Sequence, residues 1–291
     1  MSRKGKGMRK STLLILLIIL IPALYFVYGM IAWNIRVSFT DWKGAIPSSN
    51  FVGLENYSNL FQDPLFWRSL WNTLLLFLMI PCSLGLGLFL ATLLNQQVKG
   101  ARVFLIIYLM PFAFSFVVTG VVWAWMYAPT NGAVNTILRS IGLGSLAGGW
   151  HTDPSTVMLS ILLATVWQFT GYCTLILFAG LKSIPQKEID AAKSKGASIF
   201  RVYREVVLPR LKISILTSVV VLMIFSLKTF DLIWVMTGGG PGTYSYTLPI
   251  FVVKEAFQKL HVASAAAAGN ILVVIVLCII IPYLYWSFRK R

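Results

Sequence analysis

The chain has 291 residues, 57% of them hydrophobic and 12% charged, with a mean hydropathy of +0.78. An ordinary soluble domain carries about a quarter charged residues, so that class is excluded. The formal net charge is +16, but the cations cluster in short segments between long apolar runs. That is the pattern of a polytopic membrane protein; a nucleic-acid binder needs its charge on an exposed face of a water-soluble body.

Six runs reach the roughly 20 apolar residues that cross ~30 Å of hydrocarbon. They are Thr12 to Trp33, Ser69 to Leu94, Val103 to Tyr127, Thr156 to Gly180, Ile213 to Val235 and Ala265 to Trp286. The first is too long for the apolar region of a cleavable signal peptide, and no small-residue cleavage site follows it. With the N-terminus inside, segments 1–11, 95–102, 181–212 and 287–291 hold 18 of the 25 Lys and Arg, and the outer segments hold 6. Basic loops stay inside, so both termini are expected to be cytoplasmic. Cys82, Cys173 and Cys278 each fall within an apolar run without a short-spaced partner and are expected to be buried thiols. His151 and His261 lie outside the runs and do not suggest a metal cluster.

In chain order, the first segment with unusual content is the middle of the fourth run. Trp167, Gln168, Thr170, Tyr172 and Thr174 sit near its midpoint. Polar groups there are costly and usually face the bundle or a cavity. Gln168 and Tyr172 share a face at i,i+4, whereas Trp167 does not lie on that stripe. Two readings stand: packing by hydrogen bonds between helices, or contact with a solute such as a sugar, whose ring has apolar C–H faces and many hydroxyls.

Residues 181–212 are the longest basic loop and the most patterned. Ser183-Ile184-Pro185-Gln186 reads as a helix start with Ser as N-cap. The helix should break at Gly196, Ser198 should cap a second one over Ile199 to Val207, and Pro209 should end it. Small Ala191 and Ala192 would let a partner approach the backbone closely. An amphipathic loop lying on lipid headgroups is the alternative. Farther on, Lys228 and Asp231 are i,i+3 in the fifth run, either an ion pair or a gate or solute contact. Gly238 to Gly242 reads as a turn. In the sixth run, Ala265 and Gly269 suit close helix packing, and Asn270 could face a pathway.

The loop resembles that of a known family. Asp190-Ala191-Ala192, three residues, Gly196, nine residues and Val206-Val207-Leu208-Pro209 is similar to the EAA loop of binding-protein-dependent ABC importer permeases. Asp190 replaces the family's Glu, Val206 its Ile, and Lys195 stands where an Asp commonly precedes the Gly. Phe51-Val52-Gly53-Leu54-Glu55-Asn56-Tyr57 and the long stretch from Leu227 to Gly242 resemble the carbohydrate-type group, specifically its maltose/glycerol-3-phosphate-like first permease subunit.

The resemblance implies an all-α membrane protein with six transmembrane helices, the type-1 ABC importer permease fold and residence in the cell membrane. Residues 69–286 would form the type-1 domain with its coupling loop at 181–212. Residues 1–68 would add a tail, a first helix and an outer segment, and 287–291 a second tail. Glu188, Asp190, Ala191, Ala192, Lys195 and Gly196 would meet the ATPase. Trp167, Gln168, Tyr172, Lys228, Asp231 and Asn270 are the candidates for the solute path. No Gly-x4-Gly-Lys-Ser/Thr loop occurs. The chain is therefore expected to hold no cofactor, with ATP and Mg bound by two cytoplasmic ATPase subunits. A second permease, an extracytoplasmic solute-binding protein and the bilayer complete the expected partners, with no nucleic acid. The solute would be a sugar or related polyol. The rival from another class is a membrane-embedded enzyme such as a lipid-linked glycosyltransferase, which should gather several acidic or His residues at one face; Asp231 is the one acidic residue within a run. A standalone channel ranks third.

Overall fold

The computed structural model describes residues 10–96 and 99–288. Arg3, Lys4, Lys6, Arg9, Arg289, Lys290 and Arg291, which weight the charge asymmetry, lie outside the described residues. The first helices are α1 (Lys10–Val37), α2 (Glu55–Gln62), α3 (Pro64–Leu76), α4 (Met79–Asn95), α5 (Ala101–Ala113), α6 (Phe116–Met126) and α7 (Ala133–Ser140). They are followed by α8 (Val157–Lys182), α9 (Gln186–Ser194), α10 (Ile199–Val202), α11 (Leu208–Arg210) and α12 (Lys212–Leu227). The last are α13 (Phe230–Thr237), α14 (Leu248–Val253) and α15 (Val262–Phe288). Four stretches are long and apolar enough to cross a membrane, and six if each of two bent pairs counts as one span.

Three of the expected runs are not single helices. Ser69 to Leu94 is interrupted only at residues 77–78, between α3 and α4, and Pro64–Asn95 still counts as one span. Two others are broken outright. The run from Val103 to Tyr127 is α5 and α6, set at 101° to each other. Phe114 and Ser115 are extended there, and Ser115 Oγ caps α6 by accepting from Val118 N at 3.2 Å. The run from Ile213 to Val235 breaks between α12 and α13. Thr229 leaves helical geometry, and its Oγ1 donates back to the Phe225 carbonyl at 2.7 Å.

The chain divides into two compact units. One comprises residues 64–251 and 275–291, described to residue 288, and α8 is its axis: 13 of its 26 residues are buried. Helices close on α8 where a side chain is missing. A Cβ on Gly171 would stand 1.6 Å from the Tyr108 carbonyl oxygen of α5, and one on Gly87 of α4 would stand 2.6 Å from Cys173 Cβ. These contacts place backbones against each other and favour dispersion between helices, which lipid cannot replace. Phe112, Phe116, Phe169 and Phe225 fill the space around the break with edge and tilted ring contacts. Cys173 is buried as expected, but Cys82 and Cys278 are exposed, because they fall on faces of their helices that the rest of the described chain does not cover.

The other unit comprises residues 1–63 and 252–274, described from residue 10. Its turn at 38–52 is pinned by an isolated bridge between Thr40 and Phe51. Buried Asn56 Nδ2 donates to the Ser38 and Thr40 carbonyls at 2.9 and 2.7 Å. Asn270 is tied into the same network: its Oδ1 accepts from Asn34 Nδ2 at 2.7 Å and its Nδ2 donates to Tyr57 Oη at 3.1 Å. Its side chain therefore joins helices within this unit. Ala265 is buried, and a Cβ on Gly269 would reach only ordinary contact, 3.8 Å from Asn34 Nδ2.

Candidate functional site

The patterned loop folds as a braced platform. α8 ends at Lys182, where Ser183 Oγ donates to the Gly180 carbonyl at 2.7 Å. Ser183 thus closes α8 instead of opening α9, whose N-cap is Pro185. The reason is register: α9 begins at Gln186, so its cap position is Pro185, two residues past Ser183. Ile184 drops into the core, and α9 follows with no fully buried residue. Gly196 has φ +77°, a left-handed conformation that reverses the chain at little cost only for glycine. Ser198 Oγ then caps α10, accepting from Arg201 N at 3.4 Å.

Pro209 does not end this second helix. A π turn at Tyr203–Val207 precedes it, with Leu208 N bonded to the Tyr203 carbonyl. The wider turn accommodates a residue that lacks its N–H and would crowd the carbonyl four residues back. Helical structure ends instead at Leu211, after which α12 leaves at 70°. Val202, Val207 and Leu211 anchor the platform in the core, and Tyr203 Oη donates to Thr92 Oγ1 of α4 at 3.2 Å.

Glu188 and Arg210, 22 residues apart, form a two-pronged pair at 2.6 and 2.9 Å, and Arg201 pairs with Glu205 at 3.0 Å. Asp190 is exposed and accepts from Gln186 Nε2 at 3.0 Å. A groove of about 560 Å³ opens on this platform, lined by Glu188, Ala191, Ala192, Lys195, Arg201 and Arg210 among others. Two of its three cations are thus neutralised within the chain. Lys195 has no ion-pair partner among the described residues.

The candidates of the fourth span separate onto two faces of α8. Trp167 lines a cavity of about 790 Å³ with Phe114, Trp123, Tyr127, Trp150 and Thr170. The Trp167 and Trp123 rings meet edge to face at 5.7 Å. Trp123 Nε1 is buried without a hydrogen-bond partner among the described residues. Tyr172 lies on the other side, stacked on Phe112 at 4.9 Å. Gln168 is 3% exposed, and its Nε2 donates to the Phe114 carbonyl at 3.0 Å. Lys228 and Asp231 are both exposed and sit on opposite sides of the α12–α13 break. The expected shared face is absent because one continuous helix does not join them, and they form no ion pair.

Sequence reasoning missed Arg210, Tyr203 and Trp123. The Arg210 fork spans 22 residues, beyond any local periodicity, and Trp123 joins the cavity only because the span bends at Phe114. The Ser115 cap, four residues after Pro111, was the available signal for that bend.

Residues 83–291 match the family model described as the binding-protein-dependent transport system inner membrane component. A probable ABC transporter permease protein of Pyrococcus horikoshii is 49% identical over 286 residues, covering 97% of this chain and 98% of that one. The xylose/arabinose import permease protein of Haloferax volcanii is 34% identical over 267 residues, covering 91% and 84%. Among solved structures, a bacterial alginate ABC transporter, in complex with its alginate pentasaccharide-bound periplasmic protein, has a chain with the same fold. The TM-score is 0.75 and the identity 22%, with 97% of this chain and 96% of that one covered. That fold is the type-1 importer permease fold, and a transport family leaves no ground for the glycosyltransferase alternative. The chain belongs to the family of inner membrane components of binding-protein-dependent transport systems, and it is a multi-pass transport subunit rather than an enzyme.

Proposed function

We propose that this subunit passes a sugar or related polyol across the membrane by alternating access, driven by a separate ATPase that seats on the platform formed by residues 183–211. The observation that carries the reading is the platform itself. Its rear is fixed to the core through Val202, Val207, Leu211 and the Tyr203–Thr92 bond, while its groove is open and Lys195 has no ion-pair partner among the described residues. A rigid element whose groove holds one cation, Lys195, without an ion-pair partner among the described residues suits a cleft bearing a carboxylate. Asp190, Ala191, Ala192 and Gly196 are exposed or half-buried, so a docked surface could reach the backbone.

In this reading the platform faces the cytoplasm, as do both termini. Two ATPase subunits hold ATP and Mg, a second and different permease completes the pathway, and an external binding protein delivers the solute. Residues 69–286 form the type-1 domain and residues 1–68 an addition to it. Closure of the ATPases would move the platform as a rigid body, and the spans with it.

The sugar assignment draws on the Haloferax relative, named for xylose and arabinose import, and on the aromatic cavity. The faces of Trp167, Phe114 and Trp123 suit the apolar side of a sugar ring. Lys228 and Asp231 stand exposed at the span break, where unpaired charge needs water or a partner subunit. Gln168 and Tyr172 act behind the cavity wall, and Asn270 holds its own unit together.

The test is copurification of the whole importer carrying Gly196→Asp or Lys195→Glu. The expected result is loss of the ATPase with the second permease still attached. Full ATPase retention and unchanged uptake in both variants would refute the docking role.

A further inference from the structure

The end of α1 carries a second small cavity, unconnected with coupling. It measures about 360 Å³ and is lined by Trp33, Arg36, Val37, Trp42, Ser48 and Ser49 among others. Trp33 and Trp42 meet edge to face at 5.9 Å and form its apolar wall. The polar groups divide by what they already do. Trp42 Nε1 donates to the Gly44 carbonyl at 3.1 Å, Thr40 Oγ1 to the Val37 carbonyl at 2.8 Å, and Ser48 Oγ to Asp41. Asp41 is occupied by Ser48 and Asn50, and is not among the lining residues. The Arg36 guanidinium and the Ser49 hydroxyl remain, both exposed and with no partner among the described residues. An unpaired guanidinium beside a free hydroxyl and two indoles is complementary to a phosphate-sized anion.

What carries such an anion follows from α1 itself. Only 6% of the span Leu20–Val37 is buried. Phe26, Met30 and Trp33 are all exposed and spaced four and three residues apart, so they form one apolar stripe. The stripe continues four residues on to Val37, inside the cavity. From Phe26 to Arg36 is about 15 Å of helix at 1.5 Å per residue, close to half of a ~30 Å hydrocarbon core. Trp residues at such an end are the usual marks of a membrane interface.

We propose that this cavity holds the phosphate group of a membrane lipid, with Arg36 and Ser49 as its donors and an acyl chain lying along Phe26, Met30 and Trp33.

The test titrates the purified complete importer, in neutral detergent, with dioctanoyl phosphatidylglycerol and counts bound lipid by native mass spectrometry. Dioctanoylglycerol and inorganic phosphate serve as comparators. The expected result is one saturable lipid, bound about tenfold more weakly after Arg36→Gln, as loss of a charge-assisted contact implies. Ser49→Ala should weaken it less, in the same direction, and keeps the test open if Arg36→Gln fails to assemble. Lys43→Gln, a nearby cation outside the cavity, should leave it unchanged. Equal binding in the wild type and both cavity variants would overturn the proposal. So would inorganic phosphate or dioctanoylglycerol binding as tightly as the phospholipid.

Discussion

Gln168 Nε2 donates to the Phe114 carbonyl, the group that the α5–α6 break leaves without a helical donor. Val118 N, four residues on, would serve it in a continuous helix, but Ser115 Oγ takes that N–H. A buried amide on α8 thus completes the hydrogen bonding of a kink on its neighbour. Replacing Gln168 with Leu should orphan the carbonyl and cost about 1–2 kcal/mol. Thermal unfolding of the purified complex checks it. An unaltered melting temperature would show that the bond contributes nothing to the kink.

Gly171 should be the least replaceable glycine of α8. Gly171→Ala would drive a methyl into the Tyr108 backbone, which no side-chain rotation relieves, so α5 must move away. The expected cost is about 3 kcal/mol or more, with aggregated or degraded protein on gel filtration. Gly85→Ala is the matched control, since nothing lies within 4 Å of its Cβ position, and it should be neutral or slightly stabilising.

The Glu188–Arg210 fork is half in water, so its share of stability should be small. A double-mutant cycle with Glu188→Gln and Arg210→Gln should give a coupling of about 1 kcal/mol or less in unfolding. Uptake should fall more than that figure implies, because the fork ties α9 to the chain just before α12. Uptake tracking stability alone would remove any coupling role from the fork.

Burial holds the His151 imidazole below its ordinary value of 6.5. The folded chain keeps the ring neutral, so the unfolded chain takes up the proton first as pH falls. The stability tied to this group is therefore present above about pH 6.5 and erodes below it, until the folded ring also protonates. His151→Gln should flatten the fall in melting temperature between about pH 7 and pH 5. Equal slopes in the two proteins would contradict this.

How much of this was legible in the sequence depends on the range of each interaction. The six apolar runs, the Gly196 reversal and the Ser198 cap are local and were readable. The kink at Phe114 was hidden because its causes are split: the Ser115 cap is local, but the acceptor's new donor comes from a helix 54 residues away. Pro209 misled because a helix stop depends on the preceding turn, and a π turn there absorbs the ring. Lys228 and Asp231 have a spacing that pairs only along an unbroken helix, and Thr229 breaks it. Asn270 is a similar case, since its partners Asn34 and Tyr57 lie more than 200 residues away in the chain.

The three thiols differ in access, and this has a practical outcome. Cys173 is sealed by the crossing at Gly87, whereas Cys82 on α4 and Cys278 on α15 lie on the chain's surface. Maleimide dyes or nitroxide tags should attach at the latter two and spare the first. The native molecule thereby offers two reporter positions without added cysteines, and the spacing between them can be followed through a transport cycle.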